Sequence, residues 1–279
     1  MKKTTLILSL LLAVLVTATA QSTFTDAVKA YTRACPASLV DMKTNMEPAL
    51  KQVNDALVED YNGQQPDALM KRYIDTELLD GVADYILVPL MEGNVTTAEL
   101  QEVTKALLTP QGKLFQNHLT QVNTKMMPEV EKFVKDLAAY IREDKPLTPV
   151  TIRKDCPQSY IDLYARFWKA SELENHIDAL LKIQGQTLGE DKKELLDLFS
   201  QYMSKNMQKL YVNCSYGLLT TSDLNFGIKT YSTPAYKHIT GCMQKMADNP
   251  EMTKECGLLL VMSYLNWLTN QGVKLKDLE

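Results

Sequence analysis

One pattern of helix punctuation occurs twice in this chain, and it limits the folds available more than any other feature. TTAELQEVTKALLTPQGK runs from Thr96 to Lys113 and TTSDLNFGIKTYSTPAYK from Thr220 to Lys237. Both read Thr-Thr-x-acid-Leu, then Lys, then Thr-Pro, then Lys, at one spacing without a gap. Thr96 with Glu99, and Thr220 with Asp223, has the form of a capping box, in which hydroxyl and carboxylate each satisfy an otherwise orphan backbone N–H. Leu100, Val103 and Leu107 in the first copy, and Leu224, Ile228 and Tyr231 in the second, fall on one helical face. Thr109-Pro110 and Thr233-Pro234 then end that helix and begin another, because the residue before proline avoids the α region while proline suits the first helical position. A short capped helix, a sharp joint and a new helix are therefore expected at both places.

The correspondence extends in both directions. PEVEKF from Pro128 and PEMTKE from Pro250 are each expected to open a final helix, and CPASLVDM at Cys35 and CPQSYIDL at Cys156 each place Cys-Pro before a helical run. Landmarks in one order imply a tandem duplication of a five-helix unit, roughly 35–143 and 156–271. YNGQQPD at 61–67 and GQTLGED at 185–191 carry turn signals that split long hairpins. TPVTI at 148–152 is the sole strand candidate, inside the linker DKPLTPVTIRKD at 144–155. The expectation is an all-α chain, with a first helical repeat over 21–143, a linker at 144–155 and a second repeat over 156–279. A short leading helix is expected within 21–34.

The order acid-Leu, helix, Ser/Thr-Pro-x-Gly-Lys resembles the bacterial exported family catalogued as domain of unknown function 2059, here as two tandem, diverged copies. TTAELQEVTKALLTPQGKLF in the first copy carries the resemblance best, and the second copy departs from it with Tyr236 where the first has Gly112. The resemblance implies an exported helical protein with no established catalytic residues.

The opening MKKTTLILSLLLAVLVTATAQ agrees with export. Two lysines, an apolar run from Leu6 to Val16 and the triplet Ala18-Thr19-Ala20 form a secretory signal peptide over 1–20, too short for a comfortable membrane span. No cysteine follows the apolar run, which argues against a lipoprotein anchor. Formal net charge is −4, and removal of Lys2 and Lys3 makes the chain more acidic, so nucleic acid is a poor partner. GLLLVMSYLNWL at 257–268 is too short to cross a membrane and is expected to be a buried helix, so no transmembrane segment follows the signal. Location in the periplasm or outside a bacterial cell is expected.

Candidate chemistry is sparse. The histidines are His118, His176 and His238, and a duplicated site should place them at matched positions; yet His118 corresponds to Cys242 and His238 to Leu114. Glu172 and His176 are spaced to share a metal ion, but no second ligand pair follows, so no metal or cofactor is expected. The chain has no G-x-S-x-G, H-E-x-x-H, Walker loop or G-x-G-x-x-G, and no histidine sits beside a cysteine in sequence to activate it. No catalytic residue is assigned. Lys105 and Lys229 occupy equivalent places, as do Lys113 and Lys237, and read either as solvated helix faces or as cationic spots for an acidic group. Tyr160, Tyr164, Phe167 and Trp168 form a stripe at helical spacing, read either as core or as a tyrosine-lined groove for peptides or amphiphiles.

The resulting expectation is an exported, non-catalytic binding module that takes a protein, peptide or small amphiphile through its second half. A hydrolase with dispersed residues and a structural envelope component are the rivals. Cysteines add a further expectation. In a helical hairpin, residues equidistant from the turn face each other, so the turn at 185 pairs Cys156 with Cys214 and the turn at Asp248-Asn249 pairs Cys242 with Cys256. Closing a loop of about 15 residues contributes roughly 3 kcal/mol in an oxidising compartment. The position matching Cys214 in the first copy is Leu90, so Cys35 reads as a buried, unpaired thiol, with a reactive or intermolecular role as its alternative; the rival reading of the whole set is an accidental spacing and five reduced core cysteines.

Overall fold

Prolines mark where helices begin. Pro36, Pro66, Pro110, Pro234 and Pro250 each stand at the head of a helix, where the missing N–H is no loss. The computed structural model describes residues 23–143, 148–175, 193–247 and 249–276. Helix α1 covers residues 23–34. It is followed by α2 (Pro36–Leu57), α3 (Pro66–Thr76) and α4 (Leu78–Val82). A π-helical turn at Ala83–Leu87 leads into α5 (Val88–Met91). Then come α6 (Thr97–Leu107), α7 (Pro110–Glu143), α8 (Gln158–Ala170) and α9 (Lys193–Ser215). The last three are α10 (Thr221–Tyr231), α11 (Pro234–Ala247) and α12 (Pro250–Asn270). The fold is all-α, and the sheet among the described residues is one antiparallel pair, β1 (Val58–Asp60) with β2 (Lys274–Leu275).

The two punctuation motifs fold as read. Thr109 Oγ1 donates to Ala106 O at 2.7 Å and accepts from Gly112 N at 3.1 Å, so one hydroxyl closes α6 and caps α7. Thr233 does the same between α10 and α11, donating to Thr230 O at 2.8 Å and accepting from Tyr236 N at 3.3 Å. The motifs differ at the next position: a Cβ on Gly112 would lie 2.4 Å from Leu107 O, whereas Tyr236 stacks its ring on Tyr231 at 4.2 Å.

Other boundaries depart from the sequence reading. Pro128 does not open a helix; α7 continues through it to Glu143, although Pro250 does open α12. Packing explains the continuation, since α7 lies against α2 and α9 and these contacts outweigh one lost backbone bond. The TPVTI segment forms neither helix nor strand. Asn206 Oδ1 accepts from Val150 N, Asn213 Oδ1 accepts from Arg153 N, and Asn213 Nδ2 donates to Thr151 O, so two amides of α9 stand in for a neighbouring strand. The helix containing GLLLVMSYLNWL is buried on one side only, since Leu258 is 63% exposed and Leu259 and Met262 are exposed beside it.

The two stretches of chain are interlaced. Helix α12 packs against α3, α4 and the π turn, with Tyr73 against Tyr264 and Trp267 at ring distances of 4.8 and 5.5 Å. Tyr264 donates to Asn54 Oδ1 at 2.9 Å. In return, α7 packs against α9, where Lys125 Nζ donates to Cys214 O at 3.4 Å. One buried cluster therefore contains residues from Ala27 to Val273. At its centre Gly227 lets α10 approach α8 and α7, because a Cβ there would lie 2.5 Å from Phe167 Cε2 and 2.9 Å from Phe115 Cζ.

All five cysteines are free, which corrects the pairing expected from hairpin geometry. Equidistance from a turn requires straight arms. The arm after Cys156 breaks where Glu172 takes φ of 54°, so counting back from residue 185, itself outside the described residues, does not give the register. Cys214 instead packs against α7 with Sγ 3.9 Å from Lys125 O, and Cys242 Sγ points back to His238 O at 3.5 Å. Cys35 is unpaired as expected but half-buried, beside Tyr31.

Two outcomes follow. Denatured, unreduced protein should expose five titratable thiols, and a 156–214 or 242–256 cross-link in a peptide map would contradict the structure. Gly227→Ala should destabilise the protein by about 1–3 kcal/mol in urea unfolding, because both rings it would meet are held in the core.

Candidate functional site

Each capping box carries a second task. Thr96 Oγ1 accepts from Glu99 N at 3.3 Å, and Glu99 Oε2 accepts from Thr96 N at 2.8 Å and from Thr96 Oγ1 at 2.7 Å. Thr220 and Asp223 repeat the arrangement, with Asp223 Oδ2 accepting at 2.8 and 2.7 Å and Thr220 Oγ1 accepting at 3.1 Å. A histidine from the other stretch then meets each carboxylate. His238 on α11 places Nδ1 2.8 Å from Glu99 Oε1, and His118 on α7 places Nδ1 2.9 Å from Asp223 Oδ2. An ionised carboxylate only accepts, so Nδ1 carries the hydrogen in both pairs. Gln111 Nε2 adds a bond to Asp223 Oδ1 at 3.0 Å.

The electrostatics follow from these partners. Hydrogen bonding from His238, then from the Thr96 backbone and hydroxyl, lowers the Glu99 carboxyl to about 2. At Asp223, whose side chain is wholly buried, burial pushes the carboxyl up but is outweighed by bonds from Thr220 and His118, and the balance lies below the ordinary value. Comparison of matched positions could not find these pairs. The histidines occupy unmatched sites because each reaches across to the other stretch, where α6 packs on α11 and α10 packs on α7. Position alone in the sequence carries no signal for such a crossing.

The hydroxyls in this arrangement, Thr96 and Thr220, are held in the helix caps. Burial pushes the Cys35 thiol up to about 12 and raises Cys156, Cys214, Cys242 and Cys256, so none is poised as a thiolate. No group of three or more metal-ligating side chains exists among the described residues, and His176, spaced in the sequence to share an ion with Glu172, lies outside them. Glu172 instead accepts from Thr240 Oγ1 at 3.1 Å.

The four lysines are exposed on separate turns. Lys105 and Lys229 stand in the last turns of α6 and α10, where a cation complements the helix dipole. Lys113 and Lys237 are exposed near the starts of α7 and α11. The aromatic stripe is core, which removes the tyrosine-lined groove in the second half. Tyr160, Tyr164, Phe167 and Trp168 are all buried, with Tyr160 against Tyr216 at 5.1 Å, Tyr164 against Phe167 at 5.6 Å and Trp168 against Tyr211 at 5.5 Å.

An open, shallow cleft lies between α1 and α6 in the first stretch. This cleft of about 380 Å³ is lined by Ala27 and Ala30 on one side and by Gln101, Thr104, Lys105 and Leu108 on the other. Helix α1 is tied to α4 by Arg33, which meets both oxygens of Asp80 at 2.6 and 2.9 Å, and to the π turn by Lys29 at 2.9 Å from Asp84. No sequence motif marks the cleft, because Thr104 sits at an ordinary core-facing position of α6.

No family model matches the chain, and neither the curated proteins nor the solved structures compared with it give a match.

The Glu99 pair gives an acid-range outcome. A carboxylate whose folded-state pKa lies at about 2 contributes stability above its ordinary value of 4.5, and that stability is lost as pH falls from there towards 2. Urea unfolding should show a stability decline across this window that is shallower in Glu99→Gln, while the variant should lose about 0.5–2 kcal/mol at neutral pH.

Proposed function

We propose that the protein is an exported, non-catalytic helical binding module. The observation that carries this reading is the engagement of its acid–base groups. Glu99, Asp223, His118 and His238 are committed to helix caps and to the joining of helices, and the thiols are held in the neutral form. A hydrolase needs a nucleophile that a base is free to activate, whereas the hydroxyls within reach of these carboxylates, Thr96 and Thr220, are engaged as helix caps. Apolar surface, by contrast, is uncovered: Leu108 and Leu114 lie exposed near the first Thr-Pro joint, and Leu258, Leu259 and Met262 on α12. Such surface suits binding through contact.

Export enters this reading from residues 1–20, with their lysines, apolar run and small-residue triplet. Tandem duplication enters it from the matching hydrogen bonds of the two capping boxes and two Thr-Pro joints. The resemblance to domain of unknown function 2059 belongs to the same reading.

A panel of ester, peptide, phosphoester and glycoside substrates tests the proposal. No turnover above background is expected from the wild type. Turnover that disappears in His118→Ala or His238→Ala, with the helical circular dichroism unchanged, would replace the binding reading with a hydrolase.

A further inference from the structure

The Thr104 hydroxyl is the part of the α1–α6 cleft that helix packing leaves unexplained. Thr104 is 8% exposed, and its Oγ1 makes no hydrogen bond among the described residues. A threonine inside a helix has an acceptor at hand in the carbonyl four residues back. Thr32, Thr76, Thr120, Thr124 and Thr269 all use it, at 2.8, 2.8, 2.9, 2.9 and 3.0 Å. Thr104 does not bond to Leu100 in this way; it lines the cleft. A buried, unpaired hydroxyl destabilises the fold, and valine would fill the same space without that cost.

The surroundings restrict what the hydroxyl can serve. Ala27 and Ala30 are one turn apart on α1 and present little beyond methyl groups, and Leu108, half exposed, continues the apolar wall. Lys105 follows Thr104 directly, lines the same cleft and is exposed, so its ammonium is the cationic group nearest in sequence to the hydroxyl. About 380 Å³ is at the small end of the range for ligand sites, which fits a single short alkyl chain better than a folded peptide.

We infer that this cleft binds a medium-chain amphiphile with an anionic head, such as an alkyl carboxylate. The chain lies between Ala27, Ala30 and Leu108, and the carboxylate accepts a hydrogen bond from Thr104 Oγ1 and pairs with Lys105. Reading the protein as a binding module is the premise of this assignment, which names the ligand class and moves the site from the second stretch to the first.

Calorimetric titration of the full chain with decanoate below its micellar range, and with decanol as a neutral counterpart, tests the assignment. One decanoate per chain should bind, and affinity should rise by up to about fourfold per added methylene from hexanoate to decanoate. Thr104→Val should weaken decanoate by about three- to tenfold while keeping or raising the melting temperature. Lys105→Gln should weaken decanoate but not decanol. Ala30→Leu, which fills the cleft, should abolish binding of both; should it fail to fold, Leu108→Glu at the exposed wall should repel decanoate instead. The assignment is overturned by an absence of saturable uptake, by unchanged affinity in folded Thr104→Val, or by equal loss of both ligands in Lys105→Gln. Failure here with no turnover in the substrate panel removes the cleft alone, whereas turnover in that panel removes the binding-module premise.

Discussion

A helix that starts inside a protein must find acceptors for the N–H groups of its first turn, and this fold meets that demand with carboxylates shared between helices. Glu99 caps α6 and receives His238; Asp223 caps α10 and receives His118. Helix starts and helix packing are thus fixed by the same oxygen atoms. The arrangement places α11 on α6 and α7 on α10, so the short helices are held by the opposite stretch as well as by their own Thr-Pro joints. The consequence for electrostatics is a pair of carboxyls held below their ordinary values, one of them wholly buried.

Interlacing of the long helices extends this dependence. Helix α12 completes the packing around Tyr73, while α7 spans from α2 to α9. Aromatic side chains fill the space where the layers meet: Phe115 lies 6.0 Å from Phe167, 5.4 Å from Phe226 and 5.7 Å from Tyr231. Gly227 is the small residue that makes room for them. The aromatic stripe of the second stretch is therefore accounted for by packing.

What could be read in advance was local. Thr96, Thr109, Thr220 and Thr233 announce their hydrogen bonds because each partner is three residues away, within one turn of helix. Pro128 misleads for the opposite reason, since its helix is held from outside by two neighbours that no nearby residue reveals. The stripe at Tyr160, Tyr164, Phe167 and Trp168 shows which residues share a face, but periodicity is the same for a core face and a groove. Cysteine pairing failed because a hairpin count treats a helix as straight, and Glu172 turns the chain. The candidate cleft was invisible because Thr104 is set apart from other helical threonines only by a hydroxyl without a partner, which residue type does not reveal.

The join between β1 and β2 fixes the order in which the chain can lock. Lys276 N donates to Leu57 O, and its ammonium reaches the carbonyls of Asp55 and Ala56 at 3.0 and 2.9 Å, at the end of a helix formed some 220 residues earlier. Asn54 likewise waits for Tyr264, 210 residues away. Contacts of such long sequence separation carry a high entropic cost of closure and slow the final step of folding. The first long helix, α2, therefore gains its last partners only from residues more than 200 positions further along the chain.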